Sequence, residues 1–165
     1  MTDGVRLDGL YRGEVASNLD PDRKGRVQIK VPSVFGDNPL TWAMPCVPYA
    51  GPGVGHFFIP PVGAKLWIMF ERGDPEHPVW MGCYWDASGD VPASPQVPQL
   101  KVLKTDMATV TIDDGAGPPG VTIETQAGMK IVIGPQGVEI NNGLGATVKL
   151  EGPKTSVNGT ALEVT

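Results

Sequence analysis

Cysteine and histidine are scarce in this chain, with two of each among 165 residues. Cys46 and Cys83 are too few for the disulfide scaffold of a small secreted domain. Both lie in apolar, strand-like runs, which predicts buried free thiols. No run of about 18 apolar residues occurs, so no membrane-spanning helix is expected. The first eight residues hold no basic-then-apolar leader, and the expectation is a protein without a classical export signal. A basic excess is also missing. With 13 basic and 18 acidic side chains the formal net charge is -5, the wrong sign for a phosphate-binding groove, so DNA is not expected as a partner.

What the chain has in abundance is glycine, at 22, and proline, at 17. That density interrupts helices every few residues but suits short strands and tight turns, which excludes a helical bundle. Apolar residues at 41% and charged ones at 19% fit a folded chain rather than a disordered one. The four tryptophans, four phenylalanines and three tyrosines all precede residue 86, as do both histidines and both cysteines. Two different cores are implied. Between them runs the proline-rich segment Asp86 to Pro98, which reads as an extended, semi-rigid linker. The expected domains are residues 1–90, a linker at 91–100, and residues 101–165.

Five strand signals mark the first domain: Gly9 to Ser17, Gly25 to Val31, Thr41 to Pro48, Ala64 to Glu71 and Pro78 to Trp85. In the second, Val27, Ile29 and Val31 alternate with Arg26, Gln28 and Lys30, so one face is buried and one wet. The segment Asn18 to Gly25 supplies a turn and makes the first two strands a hairpin. Five short strands without an obvious helix predict a five-stranded, OB-like barrel. Proline in the third strand predicts an edge or a bulge there.

From Val110 onward the rhythm changes to pairs of aliphatics spaced i, i+2: Val110 with Ile112, Val121 with Ile123, Ile131 with Ile133, Val138 with Ile140, Val148 with Leu150, then Val157, then Leu162 with Val164. Glycines punctuate the turns. The pattern predicts a β-repeat, as in a solenoid, prism or intertwined β-helix. Residues 101–165 hold only small aliphatics for a core, too little to offset an ordering entropy of about 1–2 kcal/mol per residue. Partner copies must complete it. Three copies around one axis give a homotrimeric needle, with Val121, Ile123, Ile131, Ile133, Val138, Ile140, Val148 and Leu150 as its trimer core.

Candidates for chemistry are few, and no catalytic residue, metal ligand or cofactor site is assigned. His56 and His77 have no nucleophile beside them in sequence, and no serine stands in a nucleophile elbow. Glu71, Asp74 and Glu76 could form a carboxylate pair, but Gly73 and Asp74-Pro75 favour a solvated turn. There is no His-x-His or Cys-x-x-Cys spacing. Gly51 to Gly55 is a loop rather than a phosphate cradle, since Pro60-Pro61 stands where a helix would have to start. Arg23, Lys24, Arg26 and Lys30 form a small basic group that is solvated or partner-facing.

Residues 9–85 resemble the OB-fold module of phage baseplate assembly protein V and of the related VgrG spike proteins of type VI secretion and other contractile injection systems. The resemblance is carried by Tyr11-Arg-Gly-Glu-Val15, Asp20-Pro, Gly25-Arg-Val-Gln-Ile-Lys-Val-Pro32, Trp42-Ala43 and Pro48-Tyr-Ala-Gly51 with Gly55. It continues through Phe58, Pro60-Pro-Val-Gly63, Phe70-Glu-Arg-Gly-Asp74 and Pro78-Val-Trp-Met-Gly82 with Trp85. The tail, at Val121 to Gly128 and Ile131 to Ile133, resembles the repeats of that family's trimeric β-helix.

The resemblance implies a non-enzymatic central spike. It would be a homotrimer on a separate baseplate hub protein, made in the bacterial cytoplasm and assembled into a virion tail baseplate or injection-system particle, and driven through the target-cell envelope. Neither an inserted lysozyme domain nor a His-x-His tip is present in the sequence, and the end at Leu162 to Thr165 would be either a blunt platform for a separate PAAR-type tip protein or an unusual apex of its own. Val5, Leu7, Arg23 and Lys24 are the expected hub-facing residues. Two alternatives remain. One is an OB-type module for carbohydrate or single-stranded nucleic acid, stacking its ligand on Trp67, Trp80 or Trp85. The other is a cell-wall-cleaving enzyme, for which Glu71 and Asp74 are the residues to test.

Overall fold

A computed structural model describes residues 6–39, 41–159 and 161–164. The chain is all-β and divides into two compact units, residues 1–88 and 89–165.

In the first unit, β1 (Tyr11–Ser17), β2 (Val27–Lys30), β3 (Trp42–Pro45), β6 (Lys65–Phe70) and β7 (Pro78–Tyr84) close a barrel in the order β1-β2-β3-β7-β6. Neighbours pair antiparallel except β3 and β7, which run parallel through Met44 opposite Val79 and Pro45 opposite Trp80. This is the five-stranded Greek-key closure of an OB-type barrel. Bulges at Val15/Ser17 and Trp67/Ile68 give the strands the bend that closure requires. Alternation does the rest. Val15, Val27, Ile29, Val31, Ala43, Leu66 and Ile68 are fully buried, joined by Leu7, Phe70 and Trp80. Tyr11 and Phe35 meet Phe70 edge-on, at ring-centroid distances of 5.5 and 6.4 Å.

Several expectations are corrected here. Pro45 marks neither an edge nor a bulge: it stands at the end of β3, inside the closed wall, where the next residue, Cys46, donates its N–H to Trp80 O at 2.9 Å. Cys46 and Cys83 are free, as expected, but exposed. Both sit at strand ends, where apolar sequence neighbours do not guarantee cover. A single helical turn, α1 (Pro32–Phe35), follows β2. A small hairpin, β4 (Ala50–Gly51) with β5 (Val54–Gly55), interrupts the long β3–β6 connection.

The β1–β2 turn is organised by one carboxylate. Asp20 accepts the backbone N–H groups of Asp22, Lys24 and Arg26 at 3.0, 2.7 and 3.2 Å. It also takes the Arg26 guanidinium, with Nη2 at 2.7 Å. The guanidinium first, and those N–H groups after it, hold the Asp20 carboxyl far below the usual carboxylate range.

The second unit is one eight-stranded antiparallel meander: β8 (Leu100–Lys104), β9 (Ala108–Asp113), β10 (Gly120–Thr125), β11 (Lys130–Gly134), β12 (Gly137–Asn141), β13 (Thr147–Glu151), β14 (Lys154–Val157) and β15 (Leu162–Val164). Each strand pairs with its neighbours in sequence, leaving β8 and β15 as the edges. Short side chains hold the turns: Asp113 Oδ1 accepts from Gly115 and Ala116, and Asn142 Oδ1 from Leu144 and Ala146. Gly137 admits no substitute. Its φ is +129°, and a Cβ there would overlap the Leu150 carbonyl across the β12–β13 pair. Residue 100, expected in the linker, is already in the first strand of this sheet.

Candidate functional site

Directly paired residues in an antiparallel sheet share a face. The register therefore assembles the aliphatic pairs into two rows that cross the meander without a shift. One row runs Leu103, Val110, Ile123, Ile131, Ile140, Val148, Val157, Leu162. The other runs Ile112, Val121, Ile133, Val138, Leu150, Thr155, Val164. All eight expected trimer-core residues lie in these rows, on four consecutive strands.

Within the single chain this face is bare. Ile123, Ile131, Ile133, Ile140 and Leu150 are 37% to 49% exposed, and Val121, Val138 and Val148 are half-buried. The opposite face is polar. There Glu124 meets Lys130, and Lys149 donates to Glu139 at 3.0 Å. That bond lowers the Glu139 carboxyl and raises the Lys149 ammonium relative to their ordinary values. One sheet thus presents a wet face and a dry face, and a contiguous apolar face left uncovered is the mark of an interaction surface.

The other sequence candidates scatter. Leu7 is buried in its own barrel, its N–H bonded to Gly73 O at 2.9 Å, so the hub-facing expectation gives way there to a core role. Arg23 and Lys24 are exposed on the β1–β2 turn, Lys24 within 3.4 Å of Asp22. Val5 lies outside the described residues. Glu71, Asp74 and Glu76 lie on the β6–β7 turn: the Asp74 carboxylate takes the Glu76 N–H and His77 Nδ1, each at 3.0 Å, and the Asp74 carboxyl is lowered by these contacts. Those bonds close a turn. His56 lies against Phe58 with ring centroids 4.4 Å apart. Among the described residues no three His, Cys, Asp or Glu side chains are placed to hold a metal ion.

Of the three proposed stacking tryptophans, Trp80 is core. Trp67 is held against Tyr84, with the Arg12 guanidinium 5.3 Å from its ring. Only Trp85 among them is exposed.

A closed OB-type barrel followed by a one-layer sheet with a bare apolar face defines an assembly component. The comparisons with known proteins place it further. Residues 11–85 match the type VI secretion system/phage-baseplate injector OB domain, and residues 101–163 match the phage baseplate V C-terminal trimerisation domain. The chain belongs to the phage baseplate V/VgrG-type family. It is similar to two Pseudomonas aeruginosa proteins, the type VI secretion system spike protein VgrG4b, 31% identical over 87 residues, and VgrG5, 28% identical over 102 residues. These alignments cover 50% and 59% of this chain but 11% and 13% of those proteins.

Proposed function

We propose that the chain is a non-enzymatic, homotrimeric central spike of a phage baseplate or related contractile injection system. Three copies of the meander stand as the walls of a three-sided prism, their aliphatic rows turned to the common axis and their Glu–Lys faces to water. The observation that carries this reading is the pair of aliphatic rows, unbroken from β9 to β13 and half-exposed in one chain. Completing the burial of each such side chain contributes about 1 kcal/mol, and a single-layer sheet has no other means of gaining it.

In this reading the six inner strands, β9 to β14, pair on both sides within each copy, and the copies meet through side chains. The prism is the needle that crosses the target-cell envelope. The barrel carries the connection to a separate hub protein, with Arg23 and Lys24 available on its surface, and the edge strand β15 lies toward a PAAR-type tip partner. The protein resides in the virion tail or injection particle. The carbohydrate or single-strand binding alternative is disfavoured by the burial of Trp80 and the engagement of Trp67.

The test is complementation. Particles assembled without this chain are expected to lose penetration, and the native chain to restore it. Restoration by a variant that cannot trimerise would overturn the reading.

A further inference from the structure

Register sets Arg12 of β1 directly opposite Trp67 of β6, and sets Lys65, two residues before Trp67, opposite Glu14 on one side and Tyr84 on the other. Directly paired and alternate residues share a face, so these five side chains stand on the outer wall of the barrel. The Arg12 guanidinium lies 5.3 Å from the centre of the Trp67 ring and 5.2 Å from that of Tyr84, and the two rings are 4.8 Å apart. These contacts hold the cation in place. They supply no acceptor oxygen for its five N–H donors, and among the described residues no carboxylate or carbonyl takes one.

A cleft of about 260 Å³ opens beside Arg12, lined by Glu14, Lys65, Tyr84 and Asp86 and by Pro32 and Ser33 at the start of α1. Its charges are mixed. Glu14 is already engaged by Lys65 Nζ at 2.6 Å, a bond that lowers the Glu14 carboxyl, and Lys30 stands opposite Glu14 on β2. Arg12, Lys30 and Lys65 thus outnumber Glu14 and Asp86, a local positive balance on a chain whose formal net charge is -5.

We infer that this patch docks an acidic segment of a separate protein, with Arg12 as the anchor that takes a carboxylate through two parallel N–H···O bonds. A planar fork fixed by two rings loses little freedom on binding and matches the two oxygens of a carboxylate. Arginine, tryptophan and tyrosine are also the residue types that dominate binding energy at protein interfaces. A phosphate dianion fits less well, because Glu14 and Asp86 repel two negative charges more strongly than one. The acidic balance of the whole chain disfavours nucleic acid. The patch is complete within one barrel, so it stands or falls apart from the trimer reading.

The test follows the fluorescence anisotropy of a labelled, capped hexaglutamate peptide titrated with the full chain at low ionic strength. Saturable binding is expected, weakened at least about tenfold by Arg12→Lys, which keeps the charge but not the fork, and unchanged by Arg72→Lys on the exposed β6–β7 turn. Absence of binding overturns the inference. So does binding that Arg12→Lys leaves intact, since diffuse attraction then accounts for it. On the native chain, displacement of the peptide by inorganic phosphate more effectively than by acetate, at matched ionic strength, marks a phosphate site instead. Tighter, Arg12-dependent binding of an oligothymidine marks a nucleic-acid site, and a change of mass in Arg12→Lys marks a contact between copies. Each of these three results also overturns the inference.

Discussion

The two units use the same apolar alphabet to opposite ends. In the barrel, the inward residues of five strands converge, and every buried hydrophobic residue among those described lies between Leu7 and Trp80. In the meander the aliphatics line up on one side of a sheet that does not close, and among its described residues only Ser156 is buried. The difference is one of curvature. Bulges and a parallel closing pair bend the first set of strands round on itself, whereas seven unshifted hairpin pairings keep the second an open layer. Closure completes a core within one chain, and an open layer leaves half a core for other chains to complete.

The sharpest way to break this contrast is to charge the dry face. Ile140→Asp places a carboxylate in the middle of an aliphatic row that, in the trimer, is surrounded by apolar side chains. Loss of the trimer is expected, seen as a fall in mass on a sizing column, with the barrel still folded by near-ultraviolet circular dichroism. In a protein that functions as a monomer the same change would be nearly silent, because the site is 47% exposed.

Gly137→Ala comes next. A Cβ at that position forces β12 and β13 apart at the Leu150 carbonyl, and a destabilisation of at least about 2 kcal/mol is expected in the sheet's thermal transition. Leu66→Ala acts on the other unit. Removing a fully buried side chain costs about 2–5 kcal/mol, and the barrel transition is expected to shift while the trimer mass stays the same.

The smallest effect is acid-dependent. Because the Asp20 carboxyl is held far below its unfolded value of about 3.9, its contribution to stability is complete above that pH. It declines as the pH falls further, since the unfolded chain takes up the proton first. The stability difference between the native barrel and Asp20→Asn is therefore expected to be constant at neutral pH and to shrink below about pH 4, measured by urea titration.

Much of this was legible in the sequence because the signals were periodic. All five barrel strands announce themselves through alternating or continuous apolar runs and six of the eight meander strands through i, i+2 pairs, with β14 marked by Val157 alone, and those pairs were enough to predict which side chains share a face. The exceptions have local causes. In β8 the register places Lys101 in an aliphatic row beside Leu103, while Leu100 and Val102 fall on the wet face, so its alternation points the wrong way. β4 and β5 are two residues each and carry no period. α1 is one turn, too short to show a spacing of 3.6.

Leu7 was expected to face the hub. Its burial depends on a turn more than sixty residues away, at Gly73, where a Cβ would lie 2.6 Å from Arg6 Cγ.

The most direct test of the account is the absolute mass of the full chain in solution, by light scattering on a sizing column. The account predicts a single species at three times 17.5 kDa. A species of 17.5 kDa at the same concentration would contradict it, because the dry face of the meander would then be open to water.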